Sequence, residues 1–177
     1  MASQKTDTIN LTTYDSPVGT MLIACSKAGL VSLSYLSKGR KPKNLAKVFA
    51  QKYGVAVDRL EAAPNVHTDK VCAQLDRYFS GQLKTWRLKL DWQLVDGFRK
   101  AALMAAAEIP YGSTSSYGEL AAKAGSPKAA RAVGTAMAQN PFSIVVPCHR
   151  VVRSGGEIGS YGGGTKAKRW LLDLEAV

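Results

Sequence analysis

Within an apolar run, "FSIVVPCHRVV" from Phe142 to Val152, three chemically able side chains stand side by side: Cys148, His149 and Arg150. They are a nucleophile, a base and a fixed cation. An apolar setting works against the first of them, because burial favours the neutral thiol over the thiolate. A working Cys148 therefore needs a base or a cationic neighbour. His149 is nearest in sequence, yet adjacent residues point to opposite faces of a strand and diverge on a helical turn, so a direct Cys148–His149 hydrogen bond is awkward. A bridging water removes the difficulty, with His149 passing the proton and a carboxylate from elsewhere in the chain orienting its other nitrogen. Plainer readings compete: a small core cysteine, a His and an Arg satisfied structurally, or half of a metal site. Zinc finds little support, since there is no CxxC and the one other histidine, His67, lies in a polar segment. Cys25 in "LIACSKAG" and Cys72 in "KVCAQL" read as structural thiols.

The segment ahead of this run, "SSYGELAAKAGSPKAARAVGTAMAQNP", carries paired helix signals. Ser116 and Glu119 fit a capping box, and Gly125 stands where a helix end favours a left-handed residue. Ser126 then reads as the cap of a second helix with Pro127 at its first position, which makes a helix-turn-helix. On that second helix Ala130, Val133 and Met137 share one face, and Lys128, Arg131 and Thr135 share another. Ala129, Ala132, Gly134 and Ala136 keep the helix lean, so its backbone can approach a groove; a helix packed tightly in a core has the same composition. After the run, "GSYGGGTK" places Gly159 and Gly164 at phosphate-loop spacing. Thr165 stands where the lysine is required and no Ser or Thr follows Lys166, so that reading fails.

In the first half, "LTTYDSPVGTMLIACSKAGLVSLSYL" reads as extended segments broken at "SPVG" and "KAG", a hairpin or meander. Leu45, Val48, Phe49 and Lys52 fall near helical spacing, as do Val71, Leu75 and Tyr78, with Gly81 as a stop. Residues 82–97 carry strand-like stretches, and the alanine-rich "FRKAALMAAAEIPYG" reads as a helix ending before Pro110. The expected boundary lies near 92–97, giving 1–94 as an α/β unit and 95–177 as a mainly α one.

The chain has 177 residues, enough for one domain or two small ones, with 46% hydrophobic and 21% charged residues. Its net charge of +11 favours polyanions such as nucleic acid or an anionic membrane surface, against the plainer reading of a solvated basic surface. Residues 1–97 hold 14 basic and 8 acidic groups and 98–177 hold 10 and 5, so charge alone does not say which half binds. The N-terminal stretch has no apolar signal core, no window approaches a membrane span, and an odd cysteine count at irregular spacing suits a reducing compartment. A cytosolic protein is expected.

"VPCHRVV", preceded by "AARAVGTAMAQNP" and followed by "GSYGGGTKAKRWLLDLE", resembles the O6-alkylguanine-DNA alkyltransferases, the methylated-DNA–protein-cysteine methyltransferases. The likeness spans about "IPYGSTSSYGELAA" to "LLDLE" and continues more weakly in "SPVGTMLIACSKAGLVSL". It implies a ribonuclease-H-like N-terminal α/β domain and a C-terminal domain with a winged helix-turn-helix. Cys148 would be the alkyl acceptor, His149 the water-bridged base, Glu175 its carboxylate and Asn140 a member of the same network. Tyr117 and Arg131 would serve base extrusion, and Lys128, Ala130, Gly134 and Thr135 would meet the minor groove. Tyr117, Met137, Ser143, Val151, Tyr161 and Gly162 would form the substrate pocket, with backbone carbonyls of Val151 and Cys148 on the guanine amine.

Some family members have proline at the position of Ser143, and a related non-reactive group has tryptophan at that of Cys148. The resemblance implies no cofactor; some relatives bind zinc in the N-terminal domain, but Cys25, at a matching position, has no evident companion ligands, so no structural metal is expected. It implies one self-inactivating transfer per monomer, from O6-alkylguanine in double-stranded DNA, with O4-alkylthymine a further substrate to test. Two rivals from other classes remain at this point: a module that senses alkylated bases without reacting, and a Cys-His hydrolase.

Overall fold

The computed structural model describes residues 8–36 and 43–176. Three consecutive strands, β1 (Ile9–Ser16), β2 (Gly19–Cys25) and β3 (Leu30–Tyr35), form an antiparallel meander. The "SPVG" and "KAG" breaks are its turns. A short β4 (Leu60–Glu61) adds in parallel to β1, giving the order β3-β2-β1-β4. From Met21 to Cys25 every residue of β2 is buried, because both faces of the sheet are covered.

On one face lies α1 (Leu45–Tyr53), whose Phe49 packs with Ile9, Leu11, Leu22 and Val31. On the other lies α2 (Val66–Phe79), whose Val71, Leu75 and Tyr78 form the expected apolar stripe. Both start at an asparagine whose side chain accepts backbone N–H groups of the first turn.

Residues 82–97 do not form a strand. Leu90 makes one parallel bridge to Leu30, and Trp92–Leu94 is a single 3-10 turn capped by Asp91. The alternating apolar residues that suggested a strand, Trp86, Leu88, Leu90 and Trp92, instead pack irregularly onto the core.

The second half begins with α3 (Gly97–Ala107), followed by a two-residue β5 (Ser115–Ser116), α4 (Tyr117–Lys123) and α5 (Ala130–Ala138). The Ser116–Glu119 capping box is formed in both directions, and Gly125 has a φ of 80°. Ser126 does not cap α5. The Ser126 carbonyl accepts from the Ala129 N–H at 2.9 Å, closing a turn with Pro127 at its second position, a role proline's fixed φ serves as well as a helix start. The helix therefore begins at Ala130, and Lys128 lies in the turn before it.

A 3-10 turn at Cys148–Arg150 leads into β6 (Val151–Val152), which pairs in parallel with β5, and α6 (Thr165–Glu175) closes the chain. One apolar core runs from Met21, Ile23 and Leu33 of the sheet through α2 to Leu103, Leu120, Val133 and Leu171 of the helices. Among the described residues, no helix is long and apolar enough to cross a membrane.

Candidate active site

The run from Pro141 to Val146 is held at both ends. At its start, the Leu33 N–H donates to Pro141 O at 2.7 Å and the Ser143 N–H to Leu33 O at 2.8 Å, so this segment continues the N-terminal sheet beyond β3. Immediately after it, the Val145 N–H bonds to Ser143 O across Ile144, whose φ is 72°. A left-handed conformation is an outlier for a β-branched residue, and it persists because Ile144 is fully buried. Pro147, at φ −80° and ψ 65°, makes an inverse γ-turn in which the Cys148 N–H reaches Val146 O at 2.8 Å. Two successive tight turns thus present Cys148 on a rigid backbone.

Asn140 spans this arch. Its amide nitrogen donates to Val146 O at 2.9 Å and to Cys148 Sγ at 3.1 Å, and its oxygen accepts the Phe142 N–H at 2.8 Å. Burial pushes the Cys148 thiol up, while the Asn140 amide and the Lys168 charge draw it down only in part. At rest it is a protonated thiol.

The 3-10 turn sends His149 away from the sulfur. Its Nε2 lies 2.9 Å from Glu175 Oε1. A carboxylate can only accept here, so Nε2 carries the proton and Nδ1 is left with a free lone pair. That Nδ1 is buried and has no hydrogen-bond partner among the described residues. Burial lowers the imidazole's proton affinity against the pull of Glu175, which keeps it neutral.

Glu175 is the hub. Oε1 accepts from Tyr78 at 2.6 Å, from His149 and from one Arg150 amino group at 2.9 Å; Oε2 accepts from Arg150 Nε at 2.7 Å and the Gly112 N–H at 3.4 Å. Burial alone would raise its pKa, but the bonds from His149 and Arg150 outweigh this and hold the carboxyl at about 2. Gly112 is required at its place. Its φ is 75° and an added Cβ would stand 2.9 Å from Glu175 O.

A cavity of about 190 Å³ opens beside the sulfur, lined by Tyr117, Gly134, Met137, Ala138, Cys148, Ser160, Tyr161 and Gly162. Three of these lie on α5, the helix that also carries the exposed Arg131 and Thr135. Tyr117 is set by β5, whose partner β6 starts one residue after Arg150. The site residues expected from sequence separate accordingly. Asn140 is hydrogen-bonded to Cys148 and His149 to Glu175, as two separate pairs, and Cys148 lines the cavity together with Tyr117, Met137, Tyr161 and Gly162.

Ser143 and Val151 do not line the cavity. Ser143 is committed to the sheet through its N–H, and fully buried Val151 offers its carbonyl to Lys168 Nζ at 2.5 Å. Lys128 sits off the helix in an exposed turn, and Ala130 is half-buried.

Sequence reasoning left three groups without a role at the site. Tyr78 read as one more core residue on α2, and only its hydroxyl, invisible to periodicity, marks it. Arg150, named at the outset, turns inward to the carboxylate and to Ile109 O at 2.6 Å. Lys168 is fully buried, a lysine at an apolar position of an otherwise amphipathic α6, and that mismatch was the available signal.

Two family models match the chain: the ribonuclease-like domain of 6-O-methylguanine DNA methyltransferase over residues 9–92, and the DNA binding domain of the same family over 97–177. The chain belongs to the 6-O-methylguanine DNA methyltransferase family. Relatives named methylated-DNA–protein-cysteine methyltransferase include that of Methanosarcina barkeri, 38% identical over 161 residues, covering 91% of this chain and 93% of that protein. Another, from Mycobacterium tuberculosis, is 38% identical over 167 residues and covers 94% and 92%. Among solved methyltransferases, the M. tuberculosis protein in complex with DNA superposes with a TM-score of 0.76 at 36% identity, covering 94% of this chain and 92% of that one. The Pyrococcus kodakaraensis O6-methylguanine-DNA methyltransferase gives 0.68 at 28%, covering 96% and 99%. The methyltransferase fold, an N-terminal sheet domain followed by a helical DNA-binding domain, is the architecture described above.

Proposed function

We propose that this protein repairs DNA by moving the alkyl group of O6-alkylguanine onto its own Cys148. The observation that carries the reading is the position of Cys148 Sγ at a cavity on α5, beside a neutral His149 whose Nε2–H is fixed on Glu175 and whose Nδ1 is left to accept. A water between Sγ and Nδ1 would take the thiol proton as the sulfur attacks, with His149 gaining a proton and Glu175 stabilising the imidazolium. The new S–C bond forms as the C–O6 bond breaks. The electron pair stays on the guanine, which takes a proton and resumes its normal pairing edge. A thioether has no good leaving group, so each molecule acts once and needs no cofactor.

Inside a duplex the O6 group lies on the major-groove edge of a stacked pair and cannot reach a buried thiol, so the target base must be turned out of the stack. The lean surface of α5 lets the helix approach a groove closely. Tyr117, which lines the cavity, would contact the extruded nucleotide, and the exposed Arg131 would fill the gap it leaves. In this reading residues 95–177 carry the chemistry and DNA contacts, 1–94 support them, and the protein works as a cytoplasmic, DNA-bound monomer. The fivefold engagement of Glu175 fits a relay better than a hydrolase, which would also need donors aimed at an oxyanion.

The test is intact-protein mass spectrometry with peptide mapping after incubation with duplex containing O6-methylguanine. One methyl on Cys148, in stoichiometric yield with guanine restored, is expected. Unmodified protein that still binds the lesion would replace this reading with a sensing module, and repeated turnover on an ester would favour the hydrolase.

A further inference from the structure

The N-terminal sheet reaches the cavity through one strand. Two residues beyond Leu33, which holds the backbone of Pro141 and Ser143, Tyr35 ends β3. Leu33 and Tyr35 point to the same side of the strand. The Tyr35 hydroxyl lies 3.2 Å from that of Tyr161, and the two rings meet edge to face with centroids 5.7 Å apart. The Tyr35 ring also covers Gly163: an added Cβ there would stand 2.7, 2.8 and 3.0 Å from three consecutive ring atoms. Only glycine lets the loop backbone lie on the ring.

Tyr161 is the wall between this brace and the sulfur. It lines the cavity, and its ring stands edge-on to His149 with centroids 6.3 Å apart. Among the described residues its hydroxyl bonds only to Tyr35. Burial holds both phenols in their protonated form, so the pair shares a neutral hydrogen bond. Tyr161 therefore cannot retreat from the sulfur without breaking that bond and moving into the space the Tyr35 ring fills.

We propose that Tyr35 is a specificity-determining residue of the transfer: by tethering Tyr161 and backing Gly163 it fixes the distance of the cavity wall from Cys148 and so limits the size of alkyl group accepted. The inference rests on the reading that the cavity receives an alkylated guanine. Tyr35 touches neither sulfur nor base in this account and acts through Tyr161. A methyl group needs no movement of the wall, whereas a benzyl group needs Tyr161 to yield.

The test compares second-order rates of Cys148 alkylation, followed by intact mass, on duplexes carrying O6-methylguanine or O6-benzylguanine, well below the melting temperature. Tyr35→Ala should raise the benzyl-to-methyl rate ratio about tenfold, and Tyr35→Phe, which keeps the ring and loses one hydrogen bond, about threefold. Binding to unmodified duplex should stay unchanged in both. Should Tyr35→Ala fail to fold, Tyr35→Phe decides, combined with Tyr161→Phe: both delete the same bond, so the double variant should match the single ones. Ratios within twofold of wild type, or additive effects in the double variant, would overturn the proposal even if absolute rates fell. A wild-type protein that accepts neither alkyl group would instead remove the repair reading beneath it.

Discussion

Replacing Glu175 with glutamine tests the centre of the site. The carboxylate accepts five hydrogen bonds, two of them from Arg150, and both side chains are almost wholly buried. Glutamine offers one acceptor oxygen and one donor NH2, so either orientation sets a donor against at least two donors. It also leaves the Arg150 guanidinium without its counter-ion. Removing one partner of a buried ion pair costs about 3–5 kcal/mol, and at about 2–4 °C per kcal/mol for a chain of this size the melting temperature should fall by about 10 °C. Glu175→Gln also removes the charge that stabilises a protonated His149, which should slow transfer by about a hundredfold or more.

Arg150→Met separates the two effects. In the double variant the uncompensated charge is gone, so its loss of stability in urea titrations should be smaller than the sum of the singles by about 2 kcal/mol or more, whereas the rate should not recover. A loss below about 1 kcal/mol for Glu175→Gln, strict additivity in the double variant, or a rate restored along with stability would refute the assignment of Glu175 to both roles.

Cys148→Ala should abolish alkyl transfer and leave affinity for the lesion duplex within about threefold, since the thiol lies inside the cavity and not on the exposed face of α5; gel-shift titration beside mass spectrometry checks it. Arg131→Ala should slow repair of duplex about tenfold or more while sparing reaction with free O6-benzylguanine, because an exposed arginine can aid extrusion and does not line the cavity at the sulfur; parallel rate measurements on the two substrates decide. The transfer rate should stay level as pH falls through the ordinary imidazole range near 6.5 and drop only below it, since burial lowers the His149 pKa and the relay needs Nδ1 unprotonated. Stability should follow Glu175: held at about 2 against an ordinary 4.5, its contribution is complete above the higher value and is lost as pH falls through the lower one. Acid titrations by circular dichroism between about pH 5 and 2 would show it.

Local patterns were legible where a local cause decides the structure. The meander turns, the stripe of Val71, Leu75 and Tyr78, the Ser116–Glu119 box and the left-handed Gly125 all follow from spacing and backbone preference. Where two local solutions have similar energy, the sequence left the choice open. Ser126-Pro127 suits a turn as well as a helix start, and apolar alternation in 82–97 suits a strand only if an edge is free to pair.

Cys148 and His149 stood out by type and context, and the need for a distant carboxylate followed from the geometry of adjacent residues. The resemblance supplied Glu175 as that carboxylate; what the sequence could not state was which other groups hold it. Glu175, Tyr78, Gly112 and Arg150 converge from α2, the α3–β5 connection, the 3-10 turn and α6, and Tyr35 reaches Tyr161 across 126 positions of chain. Such contacts arise because the sheet, α2 and the C-terminal helices share one core, and packing in three dimensions sets which buried polar groups must satisfy one another. The chain and its family resemblance named Cys148, His149 and Glu175; the tertiary structure decided which buried groups hold that carboxylate and what backs the cavity wall, because those contacts join elements far apart in sequence.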